Sequence, residues 1–252
     1  MNIDLTNLKK VFFYGIGGIG ISAVARMLLE QGKEVIGQDL NDSENIALLK
    51  NLGAEITIGQ SLDVISADTD LIVYSRAIEV LEPGFLQQIK ALVIPSLVYP
   101  EMLGLISKDK YTIAVSGSHG KTTTTGMVAH MLGKLGLDPT VVIGSFLQGT
   151  KSNFIQGKSE YFVVEADEYH RAFINLSPKI LIITNIDLDH VDYYKDLEDI
   201  KSAYRTLAQK VPKDGFVVCD TSDKNVQDIV DGIDAQVIDC KENIYQRKLN
   251  IP

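Results

Sequence analysis

KVFFYGIGGIGISAVARMLLEQGKEVIGQDL, residues 10–40, reads as a strand, a glycine turn, a helix and a second strand. The apolar run Lys10–Tyr14 gives way at once to Gly15, Gly17, Gly18 and Gly20. From Ile19 the apolar residues recur at helical spacing as far as Gln31, where Gly32 supplies a stop, and Glu34–Gln38 reads as strand again. A strand apolar on both faces needs cover on both, which crossover helices between parallel neighbours provide. The same order returns in YTIAVSGSHGKTTTTGMVAHMLGKL, residues 111–135, with a strand at Tyr111–Val115, a glycine turn and a helix over about Lys121–Leu135.

Two such starts predict two parallel-sheet α/β units. Leu71–Ser75 reads as a later strand of the first unit. Thr140–Ile143, Tyr161–Glu165, Ile180–Thr184, Phe216–Cys219 and a weaker Gln236–Ile238 read as strands of the second, with a helix near Leu197–Lys210. The polar break Ser107–Lys110 places the boundary, giving residues 1–107 and 108–252. With 252 residues and 45% hydrophobic content, the chain has enough apolar surface for one large domain or two modest ones.

The formal net charge of −9 opposes binding to nucleic acid or an anionic membrane, because a phosphate polymer is repelled by the average surface. Cys219 and Cys240 form no CxxC, so neither a disulfide framework nor a zinc cluster is expected. The N-terminus MNIDLTNLKK lacks the apolar core of a signal peptide, and no apolar run reaches the roughly 18 residues of a membrane span. These features predict a soluble, cytoplasmic protein. They are silent on oligomeric state.

Gly15-Ile-Gly17-Gly18-Ile-Gly20 follows a strand and opens a helix, the context in which a GxGxxG turn binds a dinucleotide. Gly15 permits the tight turn, Gly17 lets a phosphate approach the backbone and Gly20 lets helix and strand pack closely. Asp39, at the end of the second strand, sits where an acidic residue accepts ribose hydroxyls. The alternative is that the glycines only shape the turn.

The second loop, Ser116-Gly117-Ser118-His119-Gly120-Lys121-Thr122-Thr123, carries a sharper signal. Its turn directs backbone N–H groups at a phosphate, Lys121 adds a fixed positive charge, and Thr122 offers a hydroxyl to Mg²⁺. Val115 stands where the usual GxxxxGK[ST] has its first glycine, which makes this a GxxGKT variant. Glu165-Ala-Asp167-Glu168 ends the strand Tyr161–Glu165, and Asn185-Ile-Asp187-Leu-Asp189-His190 follows the strand Ile180–Thr184, so two polar clusters project from strand ends of one sheet. Carboxylates there can hold Mg²⁺ against a triphosphate, with a solvated acidic loop as the bland alternative. Of the four histidines, His190 is the best metal-ligand candidate; His119 can orient the loop, His130 lies mid-helix and reads as packing or surface, and His170 is undecided.

Taken together, GxGGxG at Gly15–Gly20, GSHGKTTTT at Gly117–Thr125, EADE at Glu165–Glu168 and NxxxDH at Asn185–His190 resemble the Mur ligase family, in family order and over most of the chain. The resemblance implies an N-terminal Rossmann-like domain holding a UDP-sugar, with its diphosphate at Gly17–Gly20 and contacts from Gly15, Gly17, Gly18, Gly20, Asp39 and Ser75. It implies a second, P-loop-type α/β ATPase domain that binds ATP through Gly117, Ser118, His119, Gly120, Lys121, Thr122 and Thr123. Lys121, Glu165 and His190 would then carry the catalysis, with one Mg²⁺ on Thr122 and Glu165 and a second on His190. The first loop and EADE are most similar to the branch that joins L-alanine to UDP-N-acetylmuramate; the branch that reattaches a recycled murein tripeptide is the alternative. Arg205 stands where several members carry a carbamylated lysine, and the L-alanine branch generally lacks that lysine too. The family's C-terminal domain, which carries the amino-acid site, has no counterpart in the sequence, so the chain alone is expected to bind weakly and not to turn over. A non-catalytic nucleotide-binding fragment using NAD at the first loop is the reading from a different class.

Overall fold

The computed structural model describes residues 3–147 and 152–241. The final residues, Asn250–Pro252, lie outside them. Packing divides the chain into two units, one formed by Met1–Ile106 with Gly144–Gln156 and the other by Ser107–Ile143 with Gly157–Pro252. No helix among the described residues is long and apolar enough to cross a membrane.

The first unit holds a sheet of β1 (Lys10–Tyr14), β2 (Glu34–Asp39), β3 (Glu55–Ile58), β4 (Leu71–Tyr74) and β5 (Ser96–Val98), in the order β3-β2-β1-β4-β5 with every neighbour parallel. Its helices are α1 (Ile19–Glu30), α2 (Glu44–Asn51), α3 (Arg76–Leu81), α4 (Pro83–Ala91) and α5 (Tyr99–Lys108). Val11, Phe12 and Phe13 of the central strand are fully buried, as a strand covered on both faces must be. Phe12 and Tyr14 pack with Ile72, Tyr74, Ile78, Ile89 and Val98 on one face. α1 ends where its glycine was expected. Gly32 N–H donates to Leu29 O and Lys33 N–H to Leu28 O, both at 2.9 Å, closing the last turn.

The second sheet and its helices are built from β6 (Tyr111–Ser116), α6 (Lys121–Lys134), β7 (Thr140–Leu147), β8 (Ser152–Ile155), β9 (Tyr161–Glu165), β10 (Ile180–Ile183), α7 (Leu197–Ala208), β11 (Phe216–Cys219), α8 (Lys224–Val230) and β12 (Gln236–Asp239). Strand order in this sheet is β12-β11-β10-β6-β9-β7-β8. Ala129 and Leu132 pin α6 against Ile113, Val141 and Val163 of three of its strands. α7 starts at Asp196, whose side chain accepts from Asp199 N–H, and has Glu198 and Asp199 in its first turn and Arg205 in its last, complementing the helix dipole at both ends.

β7 runs four residues beyond the expected Thr140–Ile143, and β8 had no sequence signal; the segment Gly144–Gln156 packs with the first unit. There Phe154 is buried beneath the Arg26 guanidinium of α1, 5.6 Å away, and the Asn153 amide donates to Ile19 O. The polar Ser107–Lys110 stretch opens on a residue with no exposed surface: Ser107 O accepts from Thr112 Oγ1 at 2.8 Å and Ser107 Oγ from Ser177 N–H at 2.9 Å.

Candidate active site

In a parallel α/β sheet, ligands bind beyond the C-terminal ends of the strands where the strand order reverses. β6 is such a place in the second unit. Its neighbours are β9 and β10, and the loops leaving all three carry the polar motifs: Gly117–Gly120 after β6, Glu165–Glu168 at the end of β9, and Thr184–His190 after β10.

The loop after β6 is held by the loop after β10. Gly117 has φ +139°, and a Cβ built there would lie 1.9 Å from Thr184 Oγ1 and 3.0 Å from Asn185 O, so glycine is required twice over. Asn185 clamps the next residue but one: His119 N–H donates to its Oδ1 and its Nδ2 donates to His119 O, each at 2.9 Å. Thr184 Oγ1 also donates to His119 O, at 2.6 Å. The Ser118 hydroxyl donates to Asp187 O at 3.0 Å and accepts from Asp187 N–H at 2.9 Å. The loop then turns through Gly120 into α6, whose first turn holds no acidic side chain, leaving the positive end of the helix for an anion.

Lys121 folds back over this loop. Its Nζ donates to Gly117 O at 2.7 Å, Ser118 O at 3.3 Å and Glu168 Oε1 at 2.8 Å. Glu168 has no exposed surface, and its backbone carbonyl accepts from the buried Tyr194 hydroxyl at 2.6 Å. Burial pushes its carboxyl above the usual carboxylate range, with Lys121 pulling the other way. Its Oε2 is buried without a hydrogen-bond partner. His190 Nε2 lies 3.5 Å from the same Oε1 that Lys121 uses.

The residues suggested for metal binding fall into two groups. Thr122 Oγ1 donates to Glu165 Oε1 at 3.0 Å, while His190 stands with Asp167 and Glu168, the three offering ligand atoms within 4.8 Å of one another. Asp167 and Glu168 belong to the EADE carboxylates expected to hold Mg²⁺, of which the resemblance singles out Glu165 alone. Around His190 the backbone adopts left-handed conformations at His170, Arg171 and His190, with φ of 51°, 57° and 52°, a cluster of local strain of the kind that gathers at functional sites. The Tyr169 ring packs on His190 with centroids 4.6 Å apart and its hydroxyl donates to Asp192 Oδ2 at 2.6 Å. Sequence reading missed Tyr169, Tyr194 and the clamping role of Asn185; the Asn of NxxxDH was a signal for the last, and nothing marked the tyrosines. Thr123 and His130 are exposed. Arg205 points elsewhere, donating to Asp228 O of α8.

In the first unit the glycine loop lines a cleft of about 380 Å³ with Gly15, Gly17, Gly18, Asp39 and Ser75 among its walls. Gly15, at φ +71°, leaves room for Ser75, whose Oγ would lie 2.5 Å from a Cβ there. Asp39 braces the loop itself: its Oδ2 accepts from Gly17 N–H at 2.9 Å, and the Asn45 amide donates to Gly17 O at 2.8 Å. Gly20 is not among the cleft's lining residues; it admits the ring of Tyr99, 2.6 Å from where a Cβ would stand.

A family model described as the Mur ligase family catalytic domain matches residues 10–111, and one described as the Mur ligase middle domain matches residues 115–249, more than half of the chain. The chain belongs to the Mur ligase family. It is 46% identical over 231 residues to a UDP-N-acetylmuramate–L-alanine ligase of Sulfurihydrogenibium sp., covering 92% of this chain and 50% of that one. Among solved structures it resembles the UDP-N-acetylmuramate-alanine ligase of Thermotoga maritima, at 33% identity and TM-score 0.75, covering 88% of this chain and 51% of that one. It also resembles the UDP-N-acetylmuramate:L-alanyl-γ-D-glutamyl-meso-diaminopimelate ligase of Neisseria meningitides, at 28% identity and TM-score 0.83, covering 92% and 78%. The chain spans about half the length of the curated relatives it matches.

Proposed function

We propose that the chain is the UDP-sugar- and ATP-binding part of a ligase that joins L-alanine to UDP-N-acetylmuramate in peptidoglycan precursor synthesis. The supporting observation is the convergence of Lys121, Thr122–Glu165 and Glu168–His190 at three adjacent strand ends beside a phosphate-binding loop. A carboxylate is a poor electrophile, so amide formation needs the γ-phosphoryl of ATP transferred to it before the alanine amine attacks the acyl phosphate. Lys121 and the N-terminus of α6 position and offset the phosphoryl charge in that transfer. The glycine loop of the first unit holds the UDP-sugar diphosphate, with Asp39 and Ser75 in the same cleft.

The donor set fits Mg²⁺, which takes oxygen ligands in preference, and Glu168 Oε2 is a buried ligand position that a cation would satisfy. Thr122 and Glu165 would hold one ion, and His190 with Asp167 and Glu168 a second. When bound, the ions supply Lewis-acid neutralisation of the phosphates. Titration calorimetry of the chain with ATP, UDP-N-acetylmuramate and NADH tests the reading. The first two are expected to bind and NADH not to; binding of NADH in place of the UDP-sugar would overturn it. The likeness to the Neisseria tripeptide ligase favours one second reading, addition of a murein tripeptide instead of L-alanine. Which of the two substrates drives ADP release in the whole ligase separates them.

A further inference from the structure

The contact between Lys121 and Glu168 has no part in binding phosphate. It occupies the very amine that the phosphate needs. Lys121 Nζ spends its three donors on Gly117 O, Ser118 O and Glu168 Oε1, all within 3.3 Å. Its partner is a carboxylate with no exposed surface, anchored through its backbone by Tyr194 and shared at one oxygen with His190, while the other oxygen has no partner. A buried acceptor left empty is costly, which a carboxylate placed only for stability has no reason to bear. This one is half used.

We propose that Glu168 is a positioning residue that holds Lys121 folded back in the nucleotide-free protein and competes with the nucleotide's phosphates for it. Binding then exchanges one anion for another at Lys121, and the released carboxylate turns to His190 and whatever satisfies Oε2. Nucleotide affinity is thereby set below what the loop alone would deliver, which favours exchange of ADP for ATP over retention. The inference rests on the loop being a polyphosphate site.

Glu168→Gln keeps the shape and an acceptor but removes the charge. It is expected to bind ADP about 5-fold or more tightly than the parent chain, measured by calorimetry in buffer with EDTA so that no metal ligation contributes. Glu160→Gln removes an exposed charge at the opposite end of β9 and is expected to change affinity far less. Glu168→Asp, which withdraws the carboxylate by one methylene, is expected to fall between. Acetylation of Lys121 in the nucleotide-free chain, followed by mass spectrometry, reads the pair without any ligand: the rate is expected to rise severalfold in Glu168→Gln. Affinity for ADP that is unchanged, weaker, or no tighter than in Glu160→Gln would overturn the proposal, as would an unchanged acetylation rate. If the parent chain binds no ADP while acetylation still responds, the polyphosphate reading fails, and the competition with it, leaving Lys121–Glu168 a structural contact.

Discussion

The side-chain amide of Asn185 pairs with both backbone polar groups of His119, accepting from its N–H and donating to its carbonyl at 2.9 Å each. It behaves as a short piece of neighbouring strand, holding the glycine loop after β6 to the loop after β10. Asn185→Ala removes both bonds and leaves the His119 N–H to find water, while its carbonyl keeps only Thr184 Oγ1. Nucleotide affinity is expected to drop at least 10-fold, with a loss of about 1–3 kcal/mol in stability. Asn185→Asp keeps the acceptor and loses the donor, so it should lie between. Calorimetry and urea unfolding read both, and an unaltered affinity in Asn185→Ala would show that the loop needs no clamp.

Gly117 and Gly120 both have positive φ, at +139° and +82°, but only Gly117 is crowded by Thr184 and Asn185. Gly117→Ala should destabilise by more than about 2 kcal/mol and abolish ATP binding, whereas Gly120→Ala bears only the conformational penalty of about 1 kcal/mol. Equal losses in the two variants, measured by thermal unfolding, would contradict the close approach at Gly117.

Lys121→Ala should remove ATP binding while leaving UDP-N-acetylmuramate binding in place, because the cleft of the first unit is lined by none of the second unit's loop residues. The measurement is a pair of titrations on one variant. Loss of both ligands together would mean that the substitution unfolds the chain or that the two sites are one.

Asp70 ties down the start of β1, with Oδ2 accepting from Lys9 N–H at 2.7 Å and Lys10 N–H at 2.9 Å. Those backbone donors, that of Lys10 foremost, hold its carboxyl below the usual carboxylate range. A depressed folded-state pKa adds stability that is present above the unfolded value and lost as pH falls toward the folded one. Asp70→Asn should therefore be less stable than the parent chain at pH 7, with the gap closing as pH drops through the carboxylate range. Urea unfolding at several pH values checks this, and a gap independent of pH would remove the charge from the explanation.

Much of the architecture was legible because buried parallel strands and amphipathic helices leave strong periodic signals. Lys10–Tyr14, Tyr161–Glu165 and Phe216–Cys219 were read to the residue, and α1 to within one residue of its end, because glycine stops and apolar runs bound them. Most of the elements that escaped are short or interrupted, although α2 and the ten-residue α5 escaped as well. α3 and α4 are separated by a single residue before Pro83, β5 has three residues, and β8 is an excursion whose burial depends on Arg26 and α1, far away in sequence.

The sequence by itself determined which chemistry is present: a glycine loop with Lys121 and Thr122, carboxylates at Glu165–Glu168 and a histidine at 190, each tied to a strand end by local patterning. The tertiary structure alone decided who meets whom. Parallel pairing of β6 with β9 and β10 brings together loops more than forty residues apart, so that Glu165 meets Thr122 and Glu168, not Glu165, takes Lys121. Three positions along β9 and its loop separate the partly exposed Glu165 from the fully buried Glu168. That choice is made by the register of the strands and by Tyr194 reaching in from the other loop, neither of which leaves a mark within either motif.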